Sequence, residues 1–238
     1  MPWFRRATVR RLACLLPLIA LIAFCASCSD FWVSNSSTGS VTVTPSALIL
    51  KAATGGGTPG DTYQLSASAQ DVGGDPPTDV TSNSATTWNG GNSNVTVSGG
   101  KITVIGTTAD QTASITATYG GQTSGTCNVL TYTGSAPTTL NSIVISTSGI
   151  SSGSLTPGQT FQLAVSASLS GNANHDVTPY VTWLSSNTSA ATVSATGLVT
   201  VLSTATAGTQ FTITATAQFA SATASSPAIQ FSVISGLV

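Results

Sequence analysis

One ordered series of short signatures occurs twice in this chain, about 97 residues apart, and the duplication restricts the fold more than any other feature. The downstream copy reads Thr156-Pro-Gly-Gln-Thr-Phe-Gln-Leu163, Asp176-Val-Thr178, Val181-Thr-Trp183, Ser185-Ser-Asn187, Thr192-Val-Ser194, Gly197-Leu-Val-Thr-Val201 and Thr212-Ile-Thr-Ala-Thr216. Upstream, in the same order, stand Thr58-Pro-Gly-Asp-Thr-Tyr-Gln-Leu65, Asp79-Val-Thr81, Thr87-Trp88, Val97-Ser98, Lys101-Ile-Thr-Val104 and Ser114-Ile-Thr-Ala-Thr118. Such a period is too long for a solenoid unit and suits a whole small domain, so two homologous modules are expected.

Within each module the apolar residues alternate. Phe161, Leu163, Val165, Ala167 and Leu169 form one inward set, and Phe211, Ile213, Ala215, Ala217 and Phe219 form another. Period-two segments parted by Gly, Asn and Pro clusters predict an all-β chain of two tandem antiparallel β-sandwiches. Domain 1 is expected over residues 41–132 and domain 2 over 140–235, joined by a short Pro-containing linker at 133–139 that allows limited bending. The modules are expected to fold alone, with little energetic coupling across that linker. Trp88 and Trp183 occupy the place where such sandwiches bury a tryptophan, and Trp183 shares the phase of Val181, so both are assigned to the core in preference to a sugar-stacking surface.

Charge excludes one class of partner. Charged residues make up 5% of the chain, and four arginines lie within the first eleven positions. Beyond Cys28 only Lys51 and Lys101 oppose seven aspartates, so no surface for nucleic-acid phosphates exists and no nucleic-acid partner is expected.

Residues 1–28 read as a signal peptide: a basic start, an apolar run from Leu12 to Phe24 too short to span a bilayer, then Cys25-Ala-Ser-Cys28. Ala26-Ser27-Cys28 resembles the lipobox of bacterial lipoproteins, with Cys25 where that pattern usually has Leu. The resemblance implies lipid attachment at Cys28 and a membrane as partner through that N-terminal lipid; Ser29 after the cysteine resembles the outer-membrane sorting pattern. Cell-envelope localisation at the outer membrane or cell surface follows. Residues 29–40 read as a flexible tether whose Phe31 and Trp32 suit a membrane interface. Cys127 is the one thiol left for the modules, either buried filler in the last strand of domain 1 or a handle for intermolecular pairing.

Catalysis requires placed acids, bases or nucleophiles, and the chain holds one His and no Glu. No enzyme activity, catalytic residue or cofactor is expected. His175 and Asp176 are sequence neighbours whose side chains should diverge before a strand. Asp71, Asp75 and Asp79 offer one loop where a calcium ion could be held, weighed against a plain solvated loop with no metal. Tyr119, Tyr132, Tyr180 and Trp32 are the aromatics left for a sugar site outside the core.

Taken together, the ordered motifs resemble the bacterial immunoglobulin-like domain, group 2, found in surface proteins of the intimin and invasin type. The likeness is fullest in the downstream copy. In the upstream copy Asn-Gly-Gly-Asn follows Trp88, and Gly99-Gly-Lys101 replaces the Thr-Gly-Leu turn. The resemblance implies cell adhesion or structural spacing at a bacterial surface, with an unknown protein or glycan ligand; the alternative is a carbohydrate-binding module of the cell envelope.

Overall fold

The computed structural model describes residues 37–146 and 153–235. Cys28, the signal segment, Phe31 and Trp32 lie outside them. Strand Thr38–Thr44 already begins within the segment expected to be tether.

Each module is a sandwich whose first strand belongs to both sheets. In the first module Thr38–Thr44 runs antiparallel to Ser66–Asp71, the chain passes Pro45, and Ala47–Lys51 then runs parallel to Cys127–Tyr132 in the opposite sheet. The second module repeats this with Val144–Ile145 antiparallel to Thr160–Ala164 and Ser154–Leu155 parallel to Ile229–Val233. A first strand that changes sheets thus supplies the end strand of both sheets on that side of the sandwich.

The inward sets read from the sequence are the ones buried. Along Gln210–Gln218 every second residue, Phe211 to Ala217, is buried and the intervening Thr and Gln side chains face outward. Phe161, Leu163, Val165, Ala167 and Leu169 do the same across Thr160–Ala164 and Ser166–Leu169. Phe231 lies between Phe161 and Phe211, with ring centroids 5.0 and 5.4 Å away, and fills the space between the sheets. Each such side chain contributes roughly 1.5–3 kcal/mol by leaving water.

Two strands of the first module depart from alternation. Ala47–Lys51 is buried over Ala47, Leu48, Ile49 and Leu50, and Cys127–Tyr132 is nearly as enclosed. Leu48, Leu50, Cys127 and Val129 face the first module's own core. Ile49, Leu130 and Tyr132, of opposite parity, belong to the buried cluster of the second module. There they meet the 3-10 turn Thr178–Tyr180 and the end of the Gln210–Gln218 strand, where the Tyr132 ring stands edge-on to Phe219 at 5.7 Å. In return Ala220 packs against the first module's core. The outer face of one sheet is therefore covered by the next module, and the expectation of little coupling across the linker is replaced by a shared apolar joint. Polar contacts border it: Thr133 N donates to Ser170 Oγ at 3.1 Å, and His175 Nε2 lies 3.5 Å from Asp110 Oδ1.

Candidate functional site

The duplicated motifs build one hydrogen-bonded staple per module. In the second, Asp176 Oδ1 accepts from Thr178 N at 2.9 Å, and Thr178 Oγ1 accepts from Val165 N at 3.0 Å while donating to Val165 O at 3.4 Å. Val165 is the point at which strand pairing breaks between Thr160–Ala164 and Ser166–Leu169, so the threonine hydroxyl satisfies backbone groups that no strand reaches. Trp183 Nε1 donates to Thr178 O at 3.3 Å, binding the opposite sheet to the same turn.

The first module repeats each bond. Thr81 N donates to Asp79 Oδ1 at 2.8 Å, Ala67 N to Thr81 Oγ1 at 2.8 Å, and Trp88 Nε1 to Thr81 O at 3.2 Å. Hydrogen bonds from Thr81, its side chain first and then its backbone, hold the Asp79 carboxyl below its usual value. Spacing explains the Asp-Val-Thr motif: the carboxylate caps a donor two residues on, and the threonine reaches the facing strand's backbone, at the strand break in the second module and at Ala67 within Ser66–Asp71 in the first.

The two tryptophans differ in what covers them. Trp183 is 8% exposed, whereas Trp88, assigned to the core from its matching position, is half-buried. From Thr178 the chain reaches Trp183 in five residues through the short turn Thr178–Tyr180; from Thr81 it takes seven, through Ser82–Thr87. Beside the indole and this longer path lies a groove of about 360 Å³, lined by Ser82, Asn83 and Thr87 and by Val97 and Ser98. Thr87–Asn89 and Val95–Ser98 are end strands of the two facing sheets, so the groove lies along the open seam of the sandwich.

The remaining candidates are placed as follows. Cys127 is fully buried without a disulfide, and burial pushes its thiol up to about 12. Asp71, Asp75 and Asp79 do not converge, because among the described residues no group of three His, Cys, Asp or Glu side chains stands close enough to hold a metal ion. Asp71 ends a strand opposite Thr38, while Asp79 pairs opposite Ser68 and is taken up by Thr81, which draws the loop's ends into a sheet and away from a shared centre. His175 turns to Asp110 and Asp176 to Thr178, so this pair separates.

Of the tyrosines proposed for a sugar site, Tyr132 is buried in the joint, a correction to its reading as an exposed aromatic. Tyr180 is partly buried against the same cluster, and burial, then the charge of Asp176, raise its pKa. Tyr119 packs against a small cluster of the first module. Sequence reasoning missed the joint, although the unbroken apolar run Ala47-Leu-Ile-Leu50 is what a strand covered on both faces looks like.

These features define a tandem immunoglobulin-like protein. Residues 144–225, most of the second module, match the family described as bacterial Ig-like domain (group 2). No curated protein matches the chain. Among solved structures it is similar to the surface layer protein SbsC, domains 4–9, at 20% identity over 85% of this chain and 31% of that one, with a TM-score of 0.31. Invasin, described as a bacterial integrin-binding protein, is matched at 19% identity over 82% of this chain and 38% of that one, TM-score 0.30. For the Yersinia pseudotuberculosis adhesin InvE the values are 17%, 81%, 58% and 0.27. The chain thus spans less than two thirds of the length of each of these three structures.

Proposed function

We propose that the chain is a lipid-anchored, non-enzymatic protein of the bacterial cell surface, in which the two Ig-like modules act as an adhesin or structural spacer. The observation that carries this reading is the apolar joint of Ile49, Leu130 and Tyr132 with Phe219, which fixes one module on the other. A spacer must hold whatever it carries at a set distance and orientation. Two modules on a free linker would not, whereas a buried joint resists bending.

The membrane is the first partner, reached through lipid on Cys28; each buried methylene of such a lipid contributes about 0.8 kcal/mol, so two or three acyl chains anchor stably. The remaining partner is a protein or glycan met at the envelope surface. Detergent-phase partitioning, intact mass and protease treatment of whole cells test the reading together. The expected result is an acyl mass on Cys28, loss of membrane fractionation in Cys28→Ser, and cleavage of the modules from outside. A Cys28→Ser protein that still fractionates with membranes would remove the anchor.

A further inference from the structure

We propose that the groove beside Trp88 is a binding site for a neutral saccharide. The site lies in the first module and is independent of the anchor and of the joint.

Its wall chemistry selects the ligand. Trp88 supplies apolar surface on which the C–H face of a pyranose ring can lie, as half-exposed aromatic rings do for amphipathic ligands. The groove is otherwise lined by exposed polar residues, Ser82, Asn83, Thr87 and Ser98. Asn83 Oδ1 already accepts from Ala85 N at 2.9 Å, which orients the amide and leaves its NH2 group as donor. Hydroxyls that donate and accept, beside an aromatic surface, match the alternating hydroxyls and C–H faces of a sugar. No Asp, Lys or Arg lines the groove, so an acidic glycan or a phosphate would gain no charge partner there.

The duplication supplies an internal control. The second module keeps the staple but crosses to Trp183 by the shorter path, and that indole is 8% exposed. The groove therefore arises from the longer Ser82–Thr87 segment and not from the shared fold. A core tryptophan, held by Thr81 and by the turn at Gly100, is turned into a rigid platform. Rigidity lowers the ordering cost of binding.

The test titrates the purified full chain with maltoheptaose, cellohexaose, mannohexaose and chitohexaose, with heparin as charged comparison, read by saturation-transfer NMR and tryptophan fluorescence. At least one neutral oligosaccharide should bind saturably. Asn83→Ala and Thr87→Ala, both on exposed residues, should each weaken it several-fold, Thr87→Ala with unchanged melting and Asn83→Ala with no more than the small shift from losing its bond to Ala85 N, and Trp88→Ala should weaken it about tenfold or more, with partial recovery in Trp88→Phe. Since Trp88→Ala also disturbs packing, the decision rests on the two exposed positions. Failure of all four neutral sugars to bind, binding by heparin alone, or neutral binding untouched by Asn83→Ala and Thr87→Ala would each overturn the proposal. Membrane fractionation of these variants reports on the anchor separately.

Discussion

Thr178 carries more than its size suggests, because its hydroxyl both accepts from Val165 N and donates to Val165 O where strand pairing is interrupted. Thr178→Val keeps the shape and removes the hydroxyl, leaving a buried N–H without a partner. Chemical denaturation should show a loss of about 1–3 kcal/mol in the second module, and Thr81→Val a comparable loss in the first. Cys127 gives a residue-scale prediction in pH. Its thiol is raised from 9.0 to about 12 by burial, so the folded state keeps the proton that the unfolded chain releases. Its contribution is thus complete below about pH 9 and is lost as pH rises toward 12. Thiol reagents should label Cys127 slowly in the native protein and rapidly in denaturant; fast native labelling would contradict its burial.

At the level of elements, turns and strands carry different kinds of information. Gly197 sits at φ +81° in the turn before Leu198–Val201, and a Cβ there would lie 2.7 Å from the Leu163 carbonyl oxygen and 3.1 Å from Trp183. Gly208 has a comparable φ of +90° but open space around it. Gly208→Ala should cost about 1–2 kcal/mol from backbone strain alone, and Gly197→Ala clearly more, because a backbone oxygen cannot move aside. Equal melting shifts for the two would show that the close approach is relieved by other means. Alternation along Gln210–Gln218 was legible because side-chain parity is local to a strand. The double burial of Ala47–Lys51 was not assigned from the sequence, because an apolar run shows that both faces are covered without showing by what.

For the whole molecule the joint is decisive. Tyr132 and Phe219 meet edge to face, so Tyr132→Ala and Phe219→Ala should be non-additive, with a coupling of about 0.5–1.5 kcal/mol in thermal unfolding. A chain of residues 138–238 should melt below the same module in the full protein, because Ile49, Leu130 and Tyr132 no longer cover its cluster. Additive substitutions, or an isolated module as stable as the tethered one, would show the contact to be energetically idle. High pH should loosen the joint further. Burial, then the charge of Asp61, raise the Tyr132 pKa, so stability linked to its protonated phenol is lost as pH rises above the ordinary tyrosine range.

What the sequence determined by itself is whatever depends on neighbours along the chain: two copies of one module, strands and their inward faces, the Asp-Val-Thr turn, and the placement of Trp183 in a core. These follow from a period of two and from turn chemistry acting over a few residues. The tertiary structure alone decided which outer face is covered by the second module, why Tyr132 is buried, why Trp88 is only half-buried, and that three aspartates spaced like ligands never meet. The two-residue difference before Trp88 is visible in the sequence. It becomes a groove only because both of its walls are end strands of facing sheets, and sheet order is a long-range property that local spacing does not encode.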